Sequence, residues 1–107
     1  RGNMKVTNDD IQSIVDVIVR GYKPNRIILF GSRARGEADA DSDIDLLVIK
    51  DDNMPAIKRN RYVRGLIRDS VIPVDIIVKT TDEYEKYRDI VGTVVFDAHK
   101  YGRVLYG

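Results

Sequence analysis

The segment from Leu29 to Ile49, LFGSRARGEADADSDIDLLVI, constrains the fold of this chain more than any other feature. An aliphatic run ends at Gly31 and Ser32, a polar segment follows, and a second aliphatic run begins with Asp43 and Asp45 at its start. Short aliphatic runs bounded by glycine and polar residues are typical of buried strands. The segment therefore predicts two strands joined by a polar connection, with carboxylates where the second strand begins.

The rest of the chain alternates between helical and extended patterns. Apolar residues recur at helical spacing after a cap at Thr7 or Asn8, again from Pro55 to Val71, and from Thr80 or Thr81 to Ala98, with Gly92 as a candidate break in this last region. Strands are predicted at Arg26–Phe30, Asp43–Lys50 and Val74–Val78. This order predicts an α/β fold whose strands are buried on much of both faces.

Length and composition limit the kinds of protein that this chain can be. We expect 107 residues to form a single domain over 1–107, with the residues before Met4 as an expression scar. A formal charge of +1 provides no strong field for nucleic acid or membranes, and the absence of cysteine excludes disulfides, thiolate catalysis and cysteine-bound zinc. Without an apolar stretch of about 20 residues or a signal-peptide core, the chain is expected to be soluble and cytoplasmic.

Three aspartates have the pattern of a metal site. Asp43 and Asp45 are two residues apart on a strand, so their side chains share one face about 7 Å apart along the chain. Asp75 lies between apolar neighbours, where a charge needs compensation. Oxygen ligands favour Mg²⁺ or Mn²⁺, and three carboxylates suit a two-metal site for in-line displacement. The alternatives are that the first two simply face solvent and that Asp75 pairs with an arginine.

The Gly31-Ser32 pair predicts a phosphate site. It ends a strand and begins a turn, so backbone N–H groups and the serine hydroxyl would be available to an anion, and glycine permits close approach. A plain turn is the alternative. Arg33 is a candidate nucleotide contact together with Arg35, although structural ion pairs are favoured for both. Asp41 is expected to be a loop acid.

These motifs together resemble those of the nucleotidyltransferases of the DNA polymerase beta superfamily, in its minimal, single-domain form. The resemblance covers GS at 31–32, ten intervening residues, DID at 43–45, and VDI at 74–76. It implies the nucleotidyltransferase fold, with a small mixed sheet of about three strands packed with helices. It also implies that ATP is the substrate and Mg²⁺ or Mn²⁺ the cofactor.

The resemblance also assigns roles and a partner. Gly31 and Ser32 would hold the phosphates, and Asp43, Asp45 and Asp75 would hold the metals, with Asp75 also helping to activate the acceptor hydroxyl. Minimal members commonly act as antitoxins that transfer AMP to a tyrosine of a HEPN-domain toxin. A non-catalytic antitoxin, a small-molecule nucleotidyltransferase and a metal-dependent nuclease are the alternatives. A homo- or hetero-oligomer is possible, and the tyrosines at 84, 87, 101 and 106 are either packing residues or a partner surface.

Overall fold

The fold contains four helices and four strands in the residues described by a computed structural model, 6–36 and 42–107. The predicted expression scar at residues 1–3 and the predicted loop acid Asp41 lie outside the described residues. In chain order the elements are α1 (Asn8–Tyr22), β1 (Arg26–Phe30), β2 (Ile44–Ile49), α2 (Ala56–Leu66), β3 (Val74–Lys79), α3 (Thr81–Tyr87), α4 (Val94–Tyr101) and β4 (Arg103–Tyr106).

The strands form one mixed sheet in the order β3-β2-β1-β4. β2 runs antiparallel to β1 and parallel to β3, and β4 runs antiparallel to β1 on its other side. The predicted α/β architecture is confirmed, and each of the three predicted strands lies within one residue of its predicted limits.

The fourth strand, β4, is absent from the sequence-based prediction. Its four residues follow α4 directly through Gly102, too short a run for a strand period to be recognised beside a helix. A Cβ on Gly102 would lie 2.3 Å from the Ala98 carbonyl oxygen and 2.6 Å from Cγ2 of Ile28. The chain passes so close to β1 at position 102 that only glycine fits there. β4 then forms by pairing with the free edge of β1.

Helices cover both faces of the sheet. α1 and α2 pack on one face, and α3 and α4 pack on the other. The central strands contribute buried residues to both layers: Ile27, Leu29, Leu46 and Val48 on the first, and Ile28, Leu47 and Ile49 on the second. The expectation of strands buried on both faces is confirmed, and because side chains alternate along a strand, Asp45 lies on the face of Leu47.

The helix limits follow local capping groups. α1 begins after Thr7, whose hydroxyl accepts a hydrogen bond from the Asp10 N–H, as the sequence predicted. The last helical region is two helices, because Thr93 caps a new helix immediately after Gly92. α2 ends at Leu66 instead of near Val71, since the chain continues as a turn before Pro73. None of the described helices is long and apolar enough to cross a membrane.

The outer edge of β3 is covered by polar side chains of α2. The Val78 N–H donates to the side-chain oxygen of Asn60 at 3.2 Å, and Arg64 donates to the Ile76 carbonyl at 3.3 Å. Side chains that satisfy backbone groups at a sheet edge prevent pairing with a further strand.

Candidate active site

One end of the sheet brings together the C-terminus of β1 and the N-termini of β2 and β3. This follows from the topology, because β1 runs antiparallel to β2 whereas β3 runs parallel to it. The ladder between β1 and β2 pairs Phe30 with Asp45, and Asp45 pairs in turn with Asp75 of β3. Gly31 and Ser32, directly after β1, therefore lie beside the start of β2.

The three predicted site carboxylates lie at this end of the sheet. Asp45 and Asp75 are direct partners across the parallel ladder, where neighbouring strands are about 4.8 Å apart and paired side chains share a face. Asp43 stands two residues before Asp45, immediately ahead of β2. Asp43 and Asp75 are exposed, and Asp45 is partly buried. The structure thus brings all three to one solvent-accessible region, and their role as metal ligands stays a prediction.

The electrostatics of Asp45 reflect this crowding. Burial raises the pKa of the Asp45 carboxyl, and the negative charges of Asp75 and Asp43 raise it further. The positive charges of Arg33 and Arg35 act in the opposite direction, but the pKa stays above its ordinary value. A raised pKa means that the ionised form of Asp45 is disfavoured, so a cation at this position would relieve an unfavourable interaction.

The donor chemistry fits a hard divalent cation, although the side chains are not yet arranged around one. Within 6–36 and 42–107, no three His, Cys, Asp or Glu side chains converge on a common metal position. Carboxylate oxygens are nevertheless the ligands that Mg²⁺ and Mn²⁺ prefer. Because Asp43 and Asp75 are exposed, their side chains can rotate toward Asp45 without disturbing the core.

Gly31 lies directly against the side chain of Asp45. Its φ is +77°, a left-handed conformation that favours glycine, and a Cβ added to it would lie 2.3 Å from Oδ2 of Asp45. From the sequence, the expected role of this glycine was to let a phosphate approach closely. The structure adds a second reason, because any other residue would displace the Asp45 carboxylate.

Ser32 begins a tight turn after β1. The carbonyl of Gly31 accepts hydrogen bonds from the N–H groups of Ala34 and Arg35, both at 3.2 Å. The N–H groups of Ser32 and Arg33 precede those two donors at the start of the turn. Ser32 itself is partly buried and lies next to Gly31, on the side of the site predicted to receive phosphate.

Two arginines connect this turn to other elements. The Arg33 guanidinium donates hydrogen bonds through Nε and Nη2 to the Ser42 carbonyl, the Nε bond measuring 3.0 Å. Arg35 forms an ion pair with Asp97 of α4 at 3.2 Å. The expected structural ion pair is confirmed for Arg35, whereas the hydrogen-bond partner of Arg33 is a backbone carbonyl.

A family model described as "Nucleotidyltransferase domain" matches residues 11–104 of the 107. The chain belongs to this family. The predicted family and fold are therefore confirmed, and the matched region contains all of the candidate site residues. The nucleotidyltransferase domain has one more strand than the three expected from its sequence.

Relatives agree with this assignment. A Methanocaldococcus jannaschii protein named "Putative protein adenylyltransferase" is 36% identical over 76 residues, which are 61% of this chain and 76% of that protein. A structure described as a "putative nucleotidyltransferase" from Sulfolobus solfataricus has a TM-score of 0.63 at 26% identity, covering 88% of this chain and 74% of the other. A toxin-antitoxin structure with AMP-PNP shares the fold, with a TM-score of 0.64 at 23% identity over 94% and 74% of the two chains.

A large cavity of about 910 Å³ lies at the opposite end of the sheet of this nucleotidyltransferase domain, where β2 and β3 end. The polar groups on its floor bond to one another: the Tyr22 hydroxyl donates to Asp52 at 2.9 Å, and the Lys50 ammonium donates to the Tyr22 carbonyl. The Tyr62 hydroxyl, at its wall, donates to the Gly21 carbonyl at 2.8 Å. These hydrogen bonds give Tyr22, Lys50 and Asp52 a structural role at this end of the sheet, and no motif in the sequence indicates them.

The C-terminal tyrosines of the nucleotidyltransferase domain divide into two kinds. Tyr84 is buried and hydrogen-bonded to the ring of His99, and Tyr87 is partly buried against the same core layer. Tyr101 and Tyr106 are 50% and 40% exposed. Packing therefore accounts for the first pair, and the second pair lies on the surface.

Proposed function

We propose that this nucleotidyltransferase domain transfers AMP from ATP to a protein hydroxyl group, and that the acceptor is a tyrosine of a HEPN-domain toxin, so that the domain acts as an antitoxin. The family assignment supports nucleotidyl transfer. The name of the Methanocaldococcus relative supports AMP and a protein acceptor, and the fold shared with a toxin-antitoxin structure containing AMP-PNP supports this biological setting.

One observation carries the proposal: the three carboxylates stand beside the Gly31-Ser32 turn at a single end of the sheet. In the proposed complex, Gly31 and Ser32 contact the phosphates of ATP. Asp43, Asp45 and Asp75 would hold Mg²⁺ or Mn²⁺ beside those phosphates. A bound ion would supply positive charge that neutralises the phosphate oxygens.

The residues of the chain have separate tasks in the proposed reaction. The turn at Gly31 orients the triphosphate, and Asp75, exposed on the outermost strand of this end, accepts the proton of the acceptor hydroxyl. The acceptor oxygen then forms a bond to the α-phosphorus. The bond from that phosphorus to the bridging oxygen of the β-phosphate breaks, and pyrophosphate leaves with its electron pair.

Label position in ATP tests the transfer. The domain is incubated with Mg²⁺ and a purified HEPN-domain ribonuclease as candidate acceptor, using ATP labelled at either the α- or the γ-phosphate. AMP transfer predicts that only the α-label becomes attached to the ribonuclease and that the γ-label leaves as pyrophosphate. Mass spectrometry should then place one AMP on a tyrosine of the ribonuclease.

A variant with Asp43→Asn and Asp45→Asn is the matched control for catalysis. It removes two negative charges with little change in side-chain volume, so we expect binding of the ribonuclease to persist and transfer to disappear. Equal inhibition of the ribonuclease by wild type and variant, with no added mass, would instead establish a non-catalytic antitoxin. Attachment of the γ-label would refute AMP transfer directly.

A further inference from the structure

The Arg33 side chain joins the two halves of the candidate site. It projects from the turn after β1, and its guanidinium directs two N–H groups at one oxygen, the Ser42 carbonyl. Ser42 immediately precedes Asp43. The phosphate-binding turn is therefore connected by a side chain to the backbone directly before the first carboxylate.

Asp43 lies one residue before β2, outside the paired part of the sheet. The ladder from β1 ends at the pair Phe30 and Asp45, so among the described residues Asp43 has no strand partner on that side. On the other side, the last backbone bond toward β3 is from the Ile44 N–H to the Pro73 carbonyl at 3.1 Å. Asp43 is also exposed, so core packing does not orient it.

We propose that Arg33 is a positioning residue for Asp43. Its hydrogen bonds to the Ser42 carbonyl take the place of strand pairing with β1, and they set the distance between the Asp43 carboxylate and the Gly31-Ser32 turn. This inference rests on the proposed metal-dependent transfer. It differs from the prediction that Arg33 contacts the nucleotide, because the guanidinium acts on the protein backbone and affects the metal through Asp43.

The chemistry of the guanidinium suits this task. Its planar fork presents two N–H donors in a fixed geometry, so both can be directed at a single carbonyl oxygen. Groups that orient metal ligands typically change metal affinity by 10–100-fold when they are lost. If Arg33 acted only through its positive charge, Arg35 should have a similar effect on the site, because the charges of both arginines act to lower the pKa of Asp45. Replacing Arg35 therefore provides the comparison.

The test is Mn²⁺ binding by the nucleotide-free domain, measured by electron paramagnetic resonance, for Arg33→Met, Arg33→Lys and Arg35→Met. We expect Arg33→Met to weaken Mn²⁺ binding by about 10-fold or more. Arg33→Lys keeps one cationic donor and should recover part of that loss. Arg35→Met removes an equal charge from a surface ion pair and should change the affinity by no more than about threefold.

ATP binding without metal separates positioning from phosphate contact. If Arg33 positions Asp43, metal-free ATP affinity of Arg33→Met stays near that of wild type, whereas kcat for transfer falls and more Mn²⁺ is needed for half-maximal rate. If Arg33 grips phosphate directly, metal-free ATP affinity falls instead, and the inference is overturned. Unchanged Mn²⁺ binding, or equal losses in Arg33→Met and Arg35→Met, also overturns it.

Failure of the inference can be distinguished from failure of the proposed function. Mn²⁺ binding needs neither acceptor nor turnover, so it can be lost in Arg33→Met even if no toxin is ever modified. Conversely, AMP transfer by wild type with unaltered metal binding in the variants would leave the function intact and refute the positioning role. Thermal unfolding of each variant without metal checks that it is folded. If Arg33→Met is unfolded, Mn²⁺ binding by Arg33→Lys is compared with wild type instead.

Discussion

Replacing Gly31 by alanine tests the contact between the Gly31-Ser32 turn and the Asp45 carboxylate. Gly31 has a φ of +77°, and an alanine Cβ would lie 2.3 Å from Oδ2 of Asp45. Gly36 in the same segment has a φ of +74°, and no described atom lies within 4 Å of the Cβ that alanine would add there. The two substitutions therefore impose nearly the same backbone strain, but only Gly31→Ala displaces the Asp45 carboxylate.

The expected magnitudes follow from these two contributions. A residue with a Cβ in the left-handed region is less stable by about 1–2 kcal/mol, so both variants should lose that amount of unfolding free energy. Moving the Asp45 side chain off its preferred rotamer adds about 0.5–1.5 kcal/mol to Gly31→Ala alone. For a domain of this size, each kcal/mol lowers Tm by about 4–8 °C.

The assays are denaturant unfolding and transfer of α-labelled AMP at a temperature where both variants are folded. We expect Gly31→Ala to abolish most transfer, because Asp45 is moved away from the proposed phosphate position, while Gly36→Ala retains it. Gly92→Ala, at a φ of +94° between α3 and α4, is a second strain control. If Gly31→Ala is no less stable than Gly36→Ala and equally active, the proposed contact does not constrain the site.

Two further variants test the charges at opposite ends of the sheet. Without metal, the Asp43→Asn and Asp45→Asn double variant should unfold at the same temperature as wild type or higher, because repulsion among the carboxylates is reduced. A thermal scan with ATP and Mg²⁺ should show no stabilisation of this variant. A shift of its melting temperature as large as that of wild type would refute metal binding by these residues. At the other end, the hydrogen bond from the Met54 N–H lowers the pKa of Asp52. A lowered pKa in the folded state contributes stability that is present above the unfolded pKa and lost as pH falls through the folded value. Because solvent screens this largely exposed carboxylate, Asp52→Asn should lower the unfolding free energy at neutral pH by only about 0.5 kcal/mol. Urea unfolding should show this difference vanishing in acid; a difference independent of pH would show that the charge is not responsible.

Local sequence pattern determined the elements that carry the site. The aliphatic runs of β1, β2 and β3 are short and bounded by breakers, so their positions could be predicted to within one residue. The spacing of Asp43 and Asp45 follows from the two-residue period of a strand, which requires no knowledge of the fold. The residue pattern also indicated Asp75 and the Gly31-Ser32 turn, and the family resemblance assigned them to the same site.

Tertiary structure alone decided how these parts meet. The pairing of Asp45 with Asp75 depends on the register of two strands separated by a helix. The hydrogen bonds from Arg33 to the Ser42 carbonyl join residues nine positions apart, beyond the reach of a local periodicity. β4 is four residues whose strand conformation comes from pairing with β1, about 75 residues away, a separation that follows from the ladder between Ile28 and Val104. Contacts between distant residues are set by the packing of whole elements, and a periodicity read along the chain contains no information about them.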